Sequence, residues 1–153
     1  MLYLLLTTGI LSILFSRWAY DDPFITYRYA NNLSRGLGLV YNPGERLFST
    51  TTPLFALLLA ILSPILPDLH GLAIFIGSVS LAVGGLCLWD LATHPKFKIT
   101  RWVGLLFYPY FPLVVSTLSS ETPLYLALCL GAIVSYRRKW QYLTALSAAL
   151  AAL

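Results

Sequence analysis

Two adjacent carboxylates, Asp21 and Asp22, open the segment DDPFITYRYANNLSRG in a chain of 153 residues of which only 10% are charged. Paired acids can share proton chemistry. One stays ionised and takes a hydroxyl proton, while the other orients it or, as Asp22 could, holds a divalent metal such as Mg or Mn. A like-charged neighbour raises one pKa of such a pair, which suits a base. The plainer role stands beside it: Asp22 as a helix N-cap and Asp21 as a water-facing charge. That division makes Asp21 the sharper candidate for chemistry. Arg28 and Arg35 lie seven residues apart, near one helix face. They suit lipid headgroups or a clamp on a phosphate or pyrophosphate. Tyr27 and Tyr29 beside them read as interfacial anchors, with Tyr27 also a substrate contact. Glu121, in SSETP, is the only acid between two consecutive apolar runs; it fits a first-turn dipole role or a second acidic position of a site.

Other reactive types carry less. His70 and His94 stand alone at run boundaries, and Cys87 and Cys129 sit inside apolar runs as packed thiols. There is no P-loop, no complete dinucleotide fingerprint and no nucleophile elbow.

The elements that must position these residues are apolar. With 58% hydrophobic residues and a mean hydropathy of +0.76, against about a quarter charged in soluble domains, the chain reads as an all-α, polytopic integral membrane protein. The net charge of +4 is no nucleic-acid footprint, because the basic residues sit in short clusters between apolar runs. Apolar segments fall at about 2–18, 53–66, 71–92, 102–118, 123–136 and 140–153. The first reads as an uncleaved signal anchor, without a basic leader or a small-residue cleavage site. The last runs to the final residue, which suggests the front part of a larger protein. Arg101 snorkelling would complete 102–118, and Pro109 and Pro112 should kink it. Trp18, Trp89, Trp102 and Trp140 read as interfacial anchors.

Between the first two runs, residues 19–52 form a loop with structure of its own. Asp22 as cap, Pro23 at the first position and Gly36 as left-handed stop predict a surface helix carrying Ile25, Tyr29 and Leu33 on one face. Asn42-Pro43-Gly44 predicts a turn. Thr52-Pro53 and Thr122-Pro123 repeat one helix-start signal.

Two topologies are open. If every run spans, all ten Lys and Arg residues share one side with Asp21 and Asp22, and Glu121 lies opposite. The run 53–66 is short, about 21 Å at helical rise, and ends in Pro64 and Pro67. If it stays at the surface, the acid pair and Glu121 share one face with Arg17, Arg28, Arg35 and Arg46. Lys96, Lys98, Arg101, Arg137, Arg138 and Lys139 then share the other. The charge rule favours the first arrangement, the short run the second.

The stretches DDPFITYRYANNLSRGLGLVYNPGE, TTPLFALLLA and SSETPLYLAL together resemble the N-terminal third of bacterial GT-C polytopic glycosyltransferases, of the protein-mannosyltransferase, aminoarabinose-transferase and arabinofuranosyltransferase kind. The likeness covers roughly residues 2–136, with 21–45 its specific part. It implies a transmembrane helix bundle in the bacterial plasma membrane, with an extracytoplasmic first loop carrying juxtamembrane helices, and so favours the second topology. It implies sugar transfer from a polyprenyl-phosphate carrier to a hydroxyl of a glycan, lipid or protein acceptor. Asp21 and Asp22 match the acidic pair, Glu121 the second acidic position, and Arg28 a contact to the lipid phosphate. The family has about twice as many helices and often a C-terminal outer domain, both absent from this stretch. The rivals are a lipid-linked sugar transporter or flippase, which places acids at mid-membrane in paired repeats, and a structural membrane subunit.

Overall fold

A computed structural model describes residues 2–18, 20–45, 50–93 and 98–153, with only the backbone described for Lys98, Thr100 and Arg101. Arg46, His94 and Lys96 lie outside the described residues, as does the Arg101 side chain. The chain folds into α1 (Leu2–Leu14), α2 (Asp21–Ser34), α3 (Pro53–Leu62), α4 (Leu69–Leu91), α5 (Lys98–Phe107), a 3-10 turn (Tyr108–Tyr110), α6 (Pro112–Ser116), α7 (Thr122–Arg137) and α8 (Gln141–Ala151). The described residues contain no strand.

α4 is the strut on which the rest packs. It serves both hydrophobic clusters: Tyr27, Ala30, Phe55, Leu59, Leu72 and Ala73 join α2, α3 and α4, while Leu11, Ile74, Leu81, Val114 and Leu118 join α1, α4 and α6. Glycines permit the approach. A Cβ on Gly77 would stand 2.0 Å from the Leu118 carbonyl oxygen, and one on Gly85 would meet the Leu4 side chain at 2.8 Å.

α1 and α4 are apolar on their outward faces as well as at their contacts. α1 turns Leu4, Thr7, Thr8 and Leu11 inward and exposes Leu5 (62%), Leu6, Ile10 and Ile13. The inward hydroxyls bond back to the helix, Thr8 to the Leu4 carbonyl at 2.7 Å and Ser12 to the Thr8 carbonyl at 2.7 Å. Ser12 also meets Ser78 of α4 at 2.5 Å. α4 buries Gly77, Ser78, Ser80, Gly84 and Gly85 while exposing Phe75 (59%), Val79 and Val83. Small and hydroxyl-bearing residues share the inward faces with Leu4, Leu11, Leu72, Ile74 and Leu81, and the outward faces are apolar as well.

Of the described helices, only α4, with 23 residues, is both long and apolar enough to cross a membrane; at helical rise it reaches about 34 Å against a hydrocarbon core of about 30 Å. Of the remaining apolar runs, 123–136 is helical throughout, as Thr122–Arg137, whereas the others are shorter than the sequence suggests. The run 2–18 is helical only to Leu14, and 102–118 divides at Pro109 and Pro112 into α5, a 3-10 turn and α6. Pro112 opens α6 because a first-turn residue needs no amide partner.

α3 does not run the length of the bundle. Its start lies by α8, where the Leu54 amide bonds the Leu153 carbonyl at 3.2 Å. Six residues past its end α4 begins, beside the end of α1, where His70 Nε2 lies 3.1 Å from the Ser16 carbonyl. The starts of α3 and α4 therefore sit at the end of the bundle that holds Asp21, Asp22 and Glu121.

Candidate functional site

α2 supplies the first carboxylate. Its N-cap is Tyr20, in extended backbone (φ −132°, ψ 169°) and without a side-chain cap bond. Asp22 is therefore not the cap: both acids lie in the first turn, with Pro23 third. Pro fits there because none of the first-turn amides has an intrahelical partner to lose. Two acids at a helix start are also favoured by the backbone dipole. Successive residues are rotated by roughly 100° about a helix, and this separates the pair. Asp22 lines a polar cup of about 340 Å³ together with Tyr20, Ile25, Thr26, Thr50, Thr51, Thr52 and Glu121. Asp21 is exposed outside it.

The threonines reach the cup because the chain doubles back along α2. Gly36 takes the left-handed conformation (φ +76°), as its place after the helix predicts. The Gly36 amide bonds the Leu33 carbonyl, and the Leu37 amide the Asn32 carbonyl, both at 3.0 Å. The buried Asn32 then holds the returning strand: its Nδ2 donates to the carbonyls of Val40 at 2.8 Å and Tyr41 at 2.9 Å. One helical turn earlier, Arg28 donates to the Tyr41 carbonyl at 3.0 Å and to Asn42 Oδ1 at 2.8 Å. Its guanidinium lies 4.3 Å from the centre of the Tyr41 ring. Asn42-Pro43-Gly44 turns as predicted, the Asn42 carbonyl accepting from the Glu45 amide at 3.1 Å, with φ +90° at Gly44, the geometry of a type II turn. Thr52 is thereby set against Thr26, hydroxyl to hydroxyl at 3.3 Å. Ile25 is exposed, whereas Tyr29 is fully enclosed (0%).

Glu121 arrives from the junction of α6 and α7. The Tyr27 hydroxyl donates to the Ser119 carbonyl at 2.5 Å, and Ser120 Oγ donates to the Thr117 carbonyl at 2.9 Å. Glu121 itself caps α7 by backbone position, so the Thr-Pro signal places Pro second in α7 rather than first. Tyr27 is thus a buried tether, and the expected substrate contact by its hydroxyl is replaced by a bond to main chain. Burial pushes its pKa up to about 12; the Ser119 side-chain hydroxyl opposes this, and the charges of Asp68 and Glu121 add to it. Tyr20 is raised too, first by burial, with a Ser120 hydrogen bond opposing and Glu121 and Asp22 adding. Both carboxylates of the cup therefore act on one phenol.

Among the sequence candidates, Asp22 and Glu121 come together; Asp21 and Arg28 do not join them in the cup lining. Tyr20, Thr26 and the run Thr50–Thr52 were not singled out by sequence. Their signal was the unbroken hydroxyl run before Pro53. His70 was set aside as isolated, yet it stacks on Phe24 (6.5 Å, 2° between planes) and meets Tyr27 edge-on at 6.2 Å.

Thr51, Thr52 and Glu121 also line an adjoining apolar groove of about 200 Å³, walled by Leu54, Phe55, Leu124, Leu128 and Leu150. Polar cup and apolar groove thus share a rim. Among the described residues no group of three or more His, Cys, Asp or Glu gathers. A Mg-type ion needs only one or two carboxylates alongside substrate phosphate and water oxygens, and Asp22, Glu121 and the threonine hydroxyls are a donor set of that kind. No protein-family model, curated protein or solved structure matches the chain.

Proposed function

We propose that this chain is the site-bearing part of a multi-pass membrane glycosyltransferase, moving a sugar from a polyprenyl-phosphate carrier to an acceptor hydroxyl at the extracytoplasmic face. The observation that carries the reading is the cup: Asp22 and Glu121, far apart in sequence, line one polar cavity that opens onto an apolar groove. A lipid-linked sugar has the matching division, a hydroxylated head on a hydrocarbon chain. The threonine hydroxyls and Tyr20 offer donors and acceptors to the sugar, and the groove offers hydrocarbon contact to the first isoprene units. A structural subunit has no need to bring the two acids together.

Membrane placement is supported by the apolar outward faces of α1 and α4, which carry Leu5, Leu6, Ile10, Ile13, Phe75, Val79 and Val83. Small and hydroxyl residues among the helix contacts suit lipid too, where close approach and hydroxyl bonds help hold helices together. The acids of the cup lie at one end of the bundle and the Arg137–Lys139 cluster at the other, which puts that cluster on the face opposite the proposed site.

Transfer proceeds as one displacement. A carboxylate of the cup takes the acceptor proton, the hydroxyl oxygen bonds to the anomeric carbon, and the bond from that carbon to phosphate breaks. The phosphate leaves ionised, so it needs charge stabilisation rather than a proton. Arg28 is held by Tyr41 and Asn42, so its contact with the carrier phosphate is not retained in this reading. A divalent ion held by Asp22 would supply that stabilisation, with Glu121 left as the base.

Sugar transfer from a polyprenyl-phosphate donor, measured in membranes carrying the chain in its native context, tests the reading. Asp22→Asn or Glu121→Gln should lower transfer by about 10²- to 10⁴-fold, the usual worth of a positioned base. Asp21→Asn should leave it nearly intact. Undiminished transfer in both cup variants would sink the proposal.

A further inference from the structure

At the end of the bundle opposite the cup, α7 runs out into Arg137, Arg138 and Lys139, and α8 begins after Trp140. Two of these cations are engaged. Arg138 is ion-paired with Asp90 at the end of α4 and lies 5.0 Å from the Trp140 ring centre. Arg137 donates to the Leu91 carbonyl at 2.6 Å. Lys139 differs from both. It stands in the left-handed region (φ +61°), which a residue bearing a Cβ adopts only at a cost. Its side chain is exposed and makes no ion pair among the described residues. It lines two open clefts, one of about 350 Å³ with Trp140 and Tyr142 and one of about 550 Å³ with Tyr136 and Gln141.

We propose that Lys139, at the α7–α8 turn, binds the headgroup phosphate of an anionic phospholipid. Charge complementarity is the first ground. The turn carries three successive cations against one acid, Asp90, which pairs with Arg138; Arg137 is turned to the Leu91 carbonyl, and Lys139 is left exposed. Lys and Arg beside a bilayer draw anionic lipids in this way. The second ground is what flanks the charge. Tyr142 is 94% exposed and Tyr136 is also open, and Trp89 and Trp102 meet edge-on at 4.9 Å near the same end. Amphipathic rings of this kind sit at the headgroup level. Above the turn, Ile133, Leu143 and Leu146 are exposed within about two helical turns. The ligand must therefore offer a phosphate and hydrocarbon close together, which a nucleic acid or an acidic peptide does not. The proposal rests on the membrane part of the reading above and not on sugar transfer.

The test is native mass spectrometry of the full chain, extracted from bilayers of equal phosphatidylglycerol and phosphatidylcholine. Phosphatidylglycerol should be retained in excess. Lys139→Gly, which removes the cation and suits the left-handed backbone, should cut that excess about fivefold, and Lys139→Arg should keep it. Inorganic phosphate at the same concentration should not displace the lipid, and Glu121→Gln should have no effect. Equal retention of both lipids, an unchanged excess in Lys139→Gly, or displacement by phosphate overturns the proposal while leaving membrane insertion and transfer standing. Failure of the chain to enter bilayers overturns it together with the membrane reading.

Discussion

The two ends of the bundle use charge in opposite ways. At the cup end, Asp22 and Glu121 make no ion pair among the described residues, while Arg28 is held by a carbonyl, an amide oxygen and an aromatic face. At the other end the acid, Asp90, is paired with Arg138, and a cation, Lys139, is left open. A charged side chain that holds the fold is recognised by its partners, and one available to a ligand by their lack. On that criterion the cup is built to meet hydroxyls and cations, and the α7–α8 turn to meet anions. The ends also differ in how they are fastened. The cup depends on side chains gripping main chain far away in sequence, Tyr27 to Ser119 and Asn32 to Tyr41. The opposite end depends on exposed guanidinium contacts.

The largest expected effect separates the ends by function. Glu121→Gln should cost sugar transfer about 10²-fold or more, whereas Lys139→Gly should leave the transfer rate unchanged. A rate lost equally in both variants would mean that the ends are not separate sites. Next in size is a break in the scaffold of the cup. Asn32→Leu removes both bonds to the returning chain, leaving the Val40 carbonyl without its donor and the Tyr41 carbonyl with Arg28 alone, for roughly 1–3 kcal/mol of destabilisation. Thermal unfolding in detergent should show the loss. The partly folded strand should also displace Thr50–Thr52, so transfer should fall more than stability explains. Full transfer in Asn32→Leu would show that the threonines play no part.

How much of this the sequence held depends on the range of the interactions. The helix at 21–34, its Gly36 stop, the Pro43-Gly44 turn and the break at Pro109 and Pro112 are local backbone rules, and all are readable. The helix start was read two residues late, at Asp22 rather than Tyr20, because Pro23 is tolerated throughout the first turn and so does not fix the cap. Arg28 looked like a phosphate clamp because its partner, the Tyr41 carbonyl, carries no sequence signal. The tether from Tyr27 to Ser119 spans 92 residues and has no periodicity to betray it. The apolar runs overstated helix length, since hydropathy does not register where 2–18 and 140–153 fray into turns. Whether 53–66 crosses the bilayer was open from charge and length alone; the Leu54–Leu153 and His70–Ser16 contacts fix where α3 and α4 start in the bundle.

A smaller effect probes the tether by pH. The Tyr27 phenol has its folded pKa raised from 10 to about 12. The folded state therefore favours the neutral phenol, and this contribution is complete below pH 10. It is lost as pH rises from about 10 towards about 12, because the unfolded chain ionises first. Tyr27→Phe should lose about 1 kcal/mol at neutral pH with the hydrogen bond. It should also flatten the decline in unfolding temperature between pH 10 and 12. An equally steep decline in the variant would assign alkaline sensitivity to other groups.

The smallest effect is expected at the opposite end. Arg138 and Asp90 form the ion pair there, with side chains 47% and 30% exposed. Exposed pairs are worth about 0–1 kcal/mol, because water screens the attraction and two flexible side chains must be held. Arg138 also covers the Trp140 ring, a contact of about 0.5–1 kcal/mol at an exposed site. Arg138→Gln should therefore lower the unfolding temperature less than Asn32→Leu does, although it removes a full charge. Raising the salt concentration should narrow the gap between wild type and Arg138→Gln, since screening removes what the variant has already lost, and it should leave the Asn32→Leu deficit untouched. A salt-independent Arg138→Gln deficit as large as that of Asn32→Leu would mean that this end, too, is fastened by buried contacts, and the contrast between the two ends would reduce to the sign of the charge left open.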